Sequence, residues 1–266
     1  MNVQQLNQLQ QQTWTAGDFP KMGVELSIVG ELLCESIPVL AGDRVLDVGT
    51  ASGNTALAAA RRRAAVTGVD ITPAMLERAR LRAAAEGLHI DFQEGDATAL
   101  AFADESFDVV MSTFGAIFAP DPQKTASEMA RVCRRGGKIA MAVWTPDGLL
   151  GKLFRLLARY SPPDAQVDLP ITWGEEDVLN QRFAPYVTDL RVQRQFVRFR
   201  SASASAWVEF MKVHFGPAIN AFQHSSAEAQ RQLSKEMTDL IRFFNRSPNS
   251  TILSESEYLD IVAVRR

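Results

Sequence analysis

From Asp43 onward, short β-branched apolar runs alternate with alanine-rich stretches of helical period, the pattern of parallel strands joined by crossover helices. RVLDVG predicts a first strand, AAVTGVD a second ending at Asp70, HIDFQEG a third, FDVVMSTF a fourth and GKIAMAVW a fifth ending at Trp144. All are short and apolar, as strands covered on both faces should be. The punctuation agrees: Thr72-Pro73 and Asp121-Pro122 read as helix starts, Gly87 as a left-handed terminator, and Gly136-Gly137 as the end of the helix through MARVCRR.

After Trp144 the rhythm breaks. Helices are expected over about 149–160 and 175–183, separated by the proline-rich turn SPPDAQVDLP. DLRVQRQFVRFR alternates apolar and basic positions and predicts a strand with one solvated face, its arginines on that face rather than in an anion site. Helical sequence follows over about 204–245, and YLDIVAVRR predicts a last strand. The glutamine-rich opening MNVQQLNQLQQQ reads as a frayed helix or a disordered arm.

The 266 residues include 28 Lys and Arg against 31 Asp and Glu, a net charge of -3 with no basic stripe, so a nucleic-acid partner is not expected. The two cysteines, Cys34 and Cys133, lie far apart in segments read as helix, which predicts neither a disulfide framework nor a metal site. The opening lacks the basic start and apolar stretch of a signal peptide, and no run is long enough for a membrane span. A cytoplasmic location is the expectation.

LDVGTASGN, directly after the first strand, holds the candidate chemistry. A dinucleotide loop asks for G-x-G-x-x-G, so that a pyrophosphate can approach the middle glycine. Here the series is Gly49, Ala51, Asn54, and the Ala51 methyl would crowd a pyrophosphate. Asp47, two positions before Gly49, suits instead a ligand with positive charge and no phosphate. Asp70, about 20 residues beyond the loop, has the place of an acceptor for ribose hydroxyls, or of a capping or solvated aspartate; Ile71 beside it suits an adenine face. In GDA, Asp96 is placed to accept from an exocyclic amine and the Ala97 backbone to donate to a ring nitrogen, although aspartate after glycine is also an ordinary turn.

The series VLDVGTASG, GVDIT, EGDATALAFADESFDVV and RVCRRGGKIAMAVW resembles the motif ladder of class I S-adenosylmethionine-dependent methyltransferases, in particular the ubiquinone/menaquinone biosynthesis branch. The resemblance covers about residues 43–145 and, more faintly, nearly the whole chain. It implies that Gly49, Thr50, Ala51 and Gly53 wrap the methionine part of the cofactor, with Asp47 on its ammonium side. It implies Asp70 on the ribose, Ile71 and Met75 against the adenine, Asp96 and Ala97 on the adenine edge, and Ser112, Thr113 and Phe114 beside the sulfonium. Many members carry glycine where this chain has Ala51.

Three histidines are available for a base: His89, His214 and His224. His89 starts the third strand, at the wrong end of the sheet, and His224 reads as a solvated helix end. His214, among Trp207, Phe210 and Phe215, is the candidate base in an aromatic lid, or the edge residue of an amphipathic core helix. TWTAGDFPKMG, with Trp14 and Phe19, suits a second lid or a pinned arm. Trp14, Phe19, Phe118, Trp144 and Phe215 are the candidate substrate contacts.

The chain is therefore expected to form one α/β domain: a Rossmann-like seven-stranded, mostly parallel sheet with helices on both faces, an antiparallel C-terminal edge strand and a helical lid insertion. Residues 1–40 form an arm or lid, 41–145 the cofactor core, and 146–266 a lid with strands completing the same sheet. The expected activity is methyl transfer from S-adenosyl-L-methionine to a small, apolar or aromatic molecule, giving S-adenosyl-L-homocysteine. An NAD(P)-dependent oxidoreductase and a non-catalytic S-adenosylmethionine-binding protein are the alternatives.

Overall fold

The computed structural model describes residues 3–162 and 170–266. Most of the proline-rich turn, residues 163–169, lies outside the described residues. Two helices come first, α1 (Val3–Thr15) and α2 (Phe19–Ser36). The alternating core follows as β1 (Arg44–Val48), α3 (Asn54–Arg61), β2 (Ala65–Asp70), α4 (Pro73–Ala85), β3 (Ile90–Glu94), β4 (Phe107–Thr113), α5 (Pro122–Val132) and β5 (Cys133–Trp144). Then come α6 (Leu149–Ala158), α7 (Glu176–Phe183), β6 (Val187–Ser201), α8 (Ala204–His214), α9 (Gly216–Gln223), α10 (Ala227–Phe243) and β7 (Ile252–Arg265).

Among the described residues seven strands form one sheet in the order β3-β2-β1-β4-β5-β7-β6. β1 to β5 run parallel. The C-terminal strand β7 is antiparallel, as the pattern leads one to expect, and β6 pairs with it and extends the sheet one strand further. Chain order turns back between β1 and β4, which opens a crevice beyond their carboxyl ends.

Strand alternation supplies both faces of the sheet. Val45 of β1 and Val109 and Met111 of β4 join the core under α3 and α4, whereas Leu46, Val48 and Val110 join the larger core beneath α5, α6 and α8 to α10. That is why these strands read as continuous apolar runs. Two of the arginines of β6 form surface pairs, Arg194 with Glu176 and Glu257 and Arg198 with Glu255.

One boundary differs from expectation. α5 ends at Val132, before the Gly136-Gly137 pair, and Cys133 is extended, pairing with Phe107 in β5. The next paired residues are Val109 and Lys138, so 134–137 bulge out. Asp108 holds the bulge by accepting from Arg134 and from Arg44, and these guanidiniums keep its carboxyl well below the usual carboxylate range. Cys133 therefore lies on a strand rather than a helix; it and Cys34 are buried free thiols, both pushed up to about 12 by burial. Among the described residues no helix is long and apolar enough to cross a membrane.

Candidate active site

β1 delivers the chain to the crevice and a tight loop turns it into α3. Gly49 takes φ +67°, and a side chain there would lie 2.7 Å from the backbone of Gly115, so the ends of β1 and β4 meet main chain to main chain. Ala51 takes φ +47°, an uncommon region for a residue with a Cβ. The Thr50 N–H donates to the Val69 carbonyl at 2.9 Å, and the Ala51 N–H to Asp70 Oδ2 at 2.8 Å. Asp70 Oδ1 accepts from the Thr72 N–H at 2.8 Å. Burial raises the Asp70 pKa, and these two N–H groups oppose the shift.

Asp47 lies one layer deeper, 1% exposed. Its Oδ2 accepts from Thr50 Oγ1 at 2.6 Å and the Ala56 N–H at 3.0 Å, while Oδ1 has no partner. Burial pushes this carboxyl up to about 7, the two hydrogen bonds notwithstanding. Asp96, after β3, accepts from the Thr98 N–H at 2.7 Å and Oγ1 at 2.8 Å. Its second oxygen accepts from Asn7 Nδ2 of α1 at 2.6 Å.

These groups open onto a cavity of about 1220 Å³, its mouth included. From β1, β2 and β3 the wall is polar: Gly49, Thr50, Ala51, Asp70, Asp96 and Ala97, with Ile71 and Met75 as its apolar members. From β4 and β5 outward it is aromatic. Phe114, at φ +60°, stacks on Trp144 with centroids 3.7 Å apart and planes 3° apart. Trp14 lies 5.5 Å from Phe19, 4.7 Å from Phe118 and 6.1 Å from Phe215. Thr113 and Phe114 stand where the two halves join.

Four sequence candidates do not reach the cavity wall. Asp47 is screened by Thr50, to which it is bonded. Gly53 begins α3 facing Ala79 and Phe92. Ser112 is fully buried; its hydroxyl donates to the Val48 carbonyl at 2.7 Å and accepts from the Ala116 N–H at 2.9 Å, clasping β1 to the turn after β4. His214 packs its ring 4.8 Å from Phe210, with Nδ1 buried and without a partner, while its neighbour Phe215 takes the place on the wall.

The wall also has members that the sequence reading missed. Asn7 and Gln10 come from α1, a docked helix rather than a loose arm. Gln11 donates to the Ile71 carbonyl, and Thr13 Oγ1 accepts from Asn220 at 2.8 Å. Gly216 is required beneath it, since any side chain there would collide with the Thr13 carbonyl. Positions 7, 10, 11 and 14 share one helical face, a signal present in the sequence. Leu150, Phe154 and Phe199 carried no such signal.

Residues 46–141 match the family model described as a methyltransferase domain. An uncharacterized protein of Mycobacterium tuberculosis is 41% identical over 236 residues, which cover 87% of this chain and 86% of that protein. The chain belongs to a family of methyltransferase-domain proteins. The matched domain spans β1 to β5, so it includes the whole polar half of the cavity contributed by β1 to β3. The demethylmenaquinone methyltransferase of Deinococcus radiodurans is 39% identical over 124 residues, 45% of this chain and 52% of that enzyme. In fold, the chain is similar to a putative methyltransferase from Bacillus halodurans, at a TM-score of 0.60 and 20% identity, covering 88% of this chain and 96% of that one.

Proposed function

We propose that this methyltransferase-domain protein moves the methyl group of S-adenosyl-L-methionine to a small, apolar or aromatic molecule. The observation that carries the reading is the division of one cavity into a polar half at β1 to β3 and an aromatic half at β4 and β5. The polar half fits a nucleoside with an amino-acid tail. Asp70 and Asp96 are acceptors for hydroxyls and an amine, and the orphaned Asp47 Oδ1 is a buried hydrogen-bond acceptor behind the loop. When bound, the cofactor supplies an already activated methyl group. The chain's part is to hold the two reactants in line and keep water out.

In this reading residues 41–145 bind the cofactor, while 1–40 and 146–266 cover it and complete the acceptor pocket. The relation to the ubiquinone/menaquinone branch is supported by the Deinococcus relative over the cofactor half alone. His214 is not assigned as a base, because it is not on the cavity wall. Calorimetry tests the reading. S-adenosyl-L-homocysteine should bind and the nicotinamide dinucleotides should not; the reverse result would replace it with the oxidoreductase reading, which the Ala51 methyl disfavours.

A further inference from the structure

Among the described residues the ionisable side chains on the cavity wall are Asp70 and Asp96, and both stand in the polar half. Beyond Phe114 the wall is aromatic and aliphatic, and the Trp14 indole N–H is already bonded to Gln10 Oε1 at 3.1 Å. α1 carries no charged residue. Charges on the other surrounding elements stay off the wall: Asp18, Lys21 and Glu25 at α2, Asp121 before α5, Lys152 and Arg155 on α6, Arg198 and Arg200 on β6. His214 packs on Phe210. Tyr258 of β7 lies behind the Phe114–Trp144 stack, 5.7 Å from Phe114, and burial pushes its hydroxyl up to about 12.

Such a wall can hold a flat apolar molecule but cannot take a proton from it. A general base contributes about 10²–10⁴ in rate, and none of the described residues faces the place where the acceptor would lie. A cationic amine would find aromatic faces, yet it would share the cavity with a positively charged sulfonium and no adjacent carboxylate. An anion whose charge is spread over a ring presents little charge density to the aromatic faces, its attraction to the sulfonium offsets part of its desolvation, and the charges cancel as the bond forms.

Building on the methyl-transfer reading, we infer that the acceptor is a conjugated, otherwise apolar molecule with an acidic thiol or hydroxyl that sheds its own proton. The proton goes to solvent. A lone pair of the resulting anion forms the bond to the methyl carbon as the carbon–sulfur bond breaks and its electron pair stays on sulfur. A neutral methyl thioether or ether and neutral S-adenosyl-L-homocysteine result.

The test uses para-substituted thiophenols and phenols of graded acidity, with kcat/KM followed against pH for each. The midpoint of the rise should move in step with each acceptor's own acidity, and His214→Gln should leave every midpoint in place. A second readout needs no turnover. Bound para-nitrophenol should show its anion absorption at a lower pH beside sinefungin, whose amine stands near the place of the sulfonium, than beside S-adenosyl-L-homocysteine, whose sulfur carries no charge. One midpoint common to the whole series would assign the proton to a protein base and overturn the inference. So would absence of turnover across the series while S-adenosyl-L-homocysteine still binds. Failure of that ligand to bind would instead remove the methyl-transfer reading itself, and the inference with it.

Discussion

Asp70 Oδ2 accepts from the Ala51 N–H at 2.8 Å, so the carboxylate at the end of β2 holds the loop that follows β1. One side chain thereby fixes the shape of the polar half and, in the proposed role, faces the cofactor's ribose. Asp70→Ala should lose on both counts. Affinity for S-adenosyl-L-homocysteine should fall by tenfold or more, since hydrogen bonds to charged groups contribute about 1.5–3 kcal/mol each. The melting temperature should also fall, because two backbone N–H groups lose their acceptor, and Asp70→Asn should be intermediate. Unchanged affinity in calorimetry would take Asp70 out of the site.

Ala51 is strained where it stands. A residue with a Cβ at φ +47° gives up roughly 1–2 kcal/mol relative to the right-handed region, of which the greater freedom of an unfolded glycine returns about 0.4–1 kcal/mol. Ala51→Gly should therefore leave the protein as stable or more stable by up to about 1.6 kcal/mol, a gain of up to roughly 3–6 °C in Tm. A clear loss of stability in thermal melts would mean that the methyl group makes a contact worth more than the strain.

The orphaned Asp47 makes stability depend on pH. Its folded-state pKa of about 7 stands above the roughly 3.9 of an unfolded aspartate, so the folded protein binds this proton more tightly. The contribution is fully present below about pH 4 and lost as the pH rises through about 7, at up to about 1.4 kcal/mol per pH unit. Asparagine does not titrate. The Tm of Asp47→Asn relative to the parent should therefore be higher near neutrality than in mild acid, and a constant difference would show that Asp47 does not change its charge in this window.

The Asn7–Asp96 bond predicts how the cavity opens. Asn7 holds the Asp96 oxygen proposed for the adenine amine, and no residue of α1 is buried, so the helix is cheap to lift. Asn7→Ala should speed hydrogen exchange along α1 in the free protein and cofactor association by up to about fivefold, in line with one hydrogen bond of about 1 kcal/mol. Exchange in α1 that does not respond would show that Thr13 and its partners on α9 hold the helix.

β1, β4 and β5 were legible because each carries its own record of burial on both faces, whereas the edge strand β3 buries only Phe92; the loop after β1 was legible because its odd residues each have a local meaning. Ala51, Asp70 and Asp96 could be assigned to one edge of the sheet from strand ends alone. α5 was misjudged at its end because a glycine pair marks a bulge as readily as a helix stop, and the long-range Arg134–Asp108 pair decided between them. α1 was misjudged because the face that docks, positions 7, 10, 11 and 14, is mostly polar, and its helical spacing was not weighed as a docking signal.

Local pattern thus determined the alternating core, the antiparallel C-terminal strand and the residues along the carboxyl edge of the sheet, since strand period, turn chemistry and motif spacing are properties of neighbours in the chain. Packing alone decided the aromatic half of the cavity. Trp14, Phe118, Phe154 and Phe215 come from four separate segments and meet within 4.7 to 6.1 Å, and one position separates Phe215 on the wall from His214 off it. Spacing along a chain carries no record of such meetings, because they are set by how the helices cross the sheet.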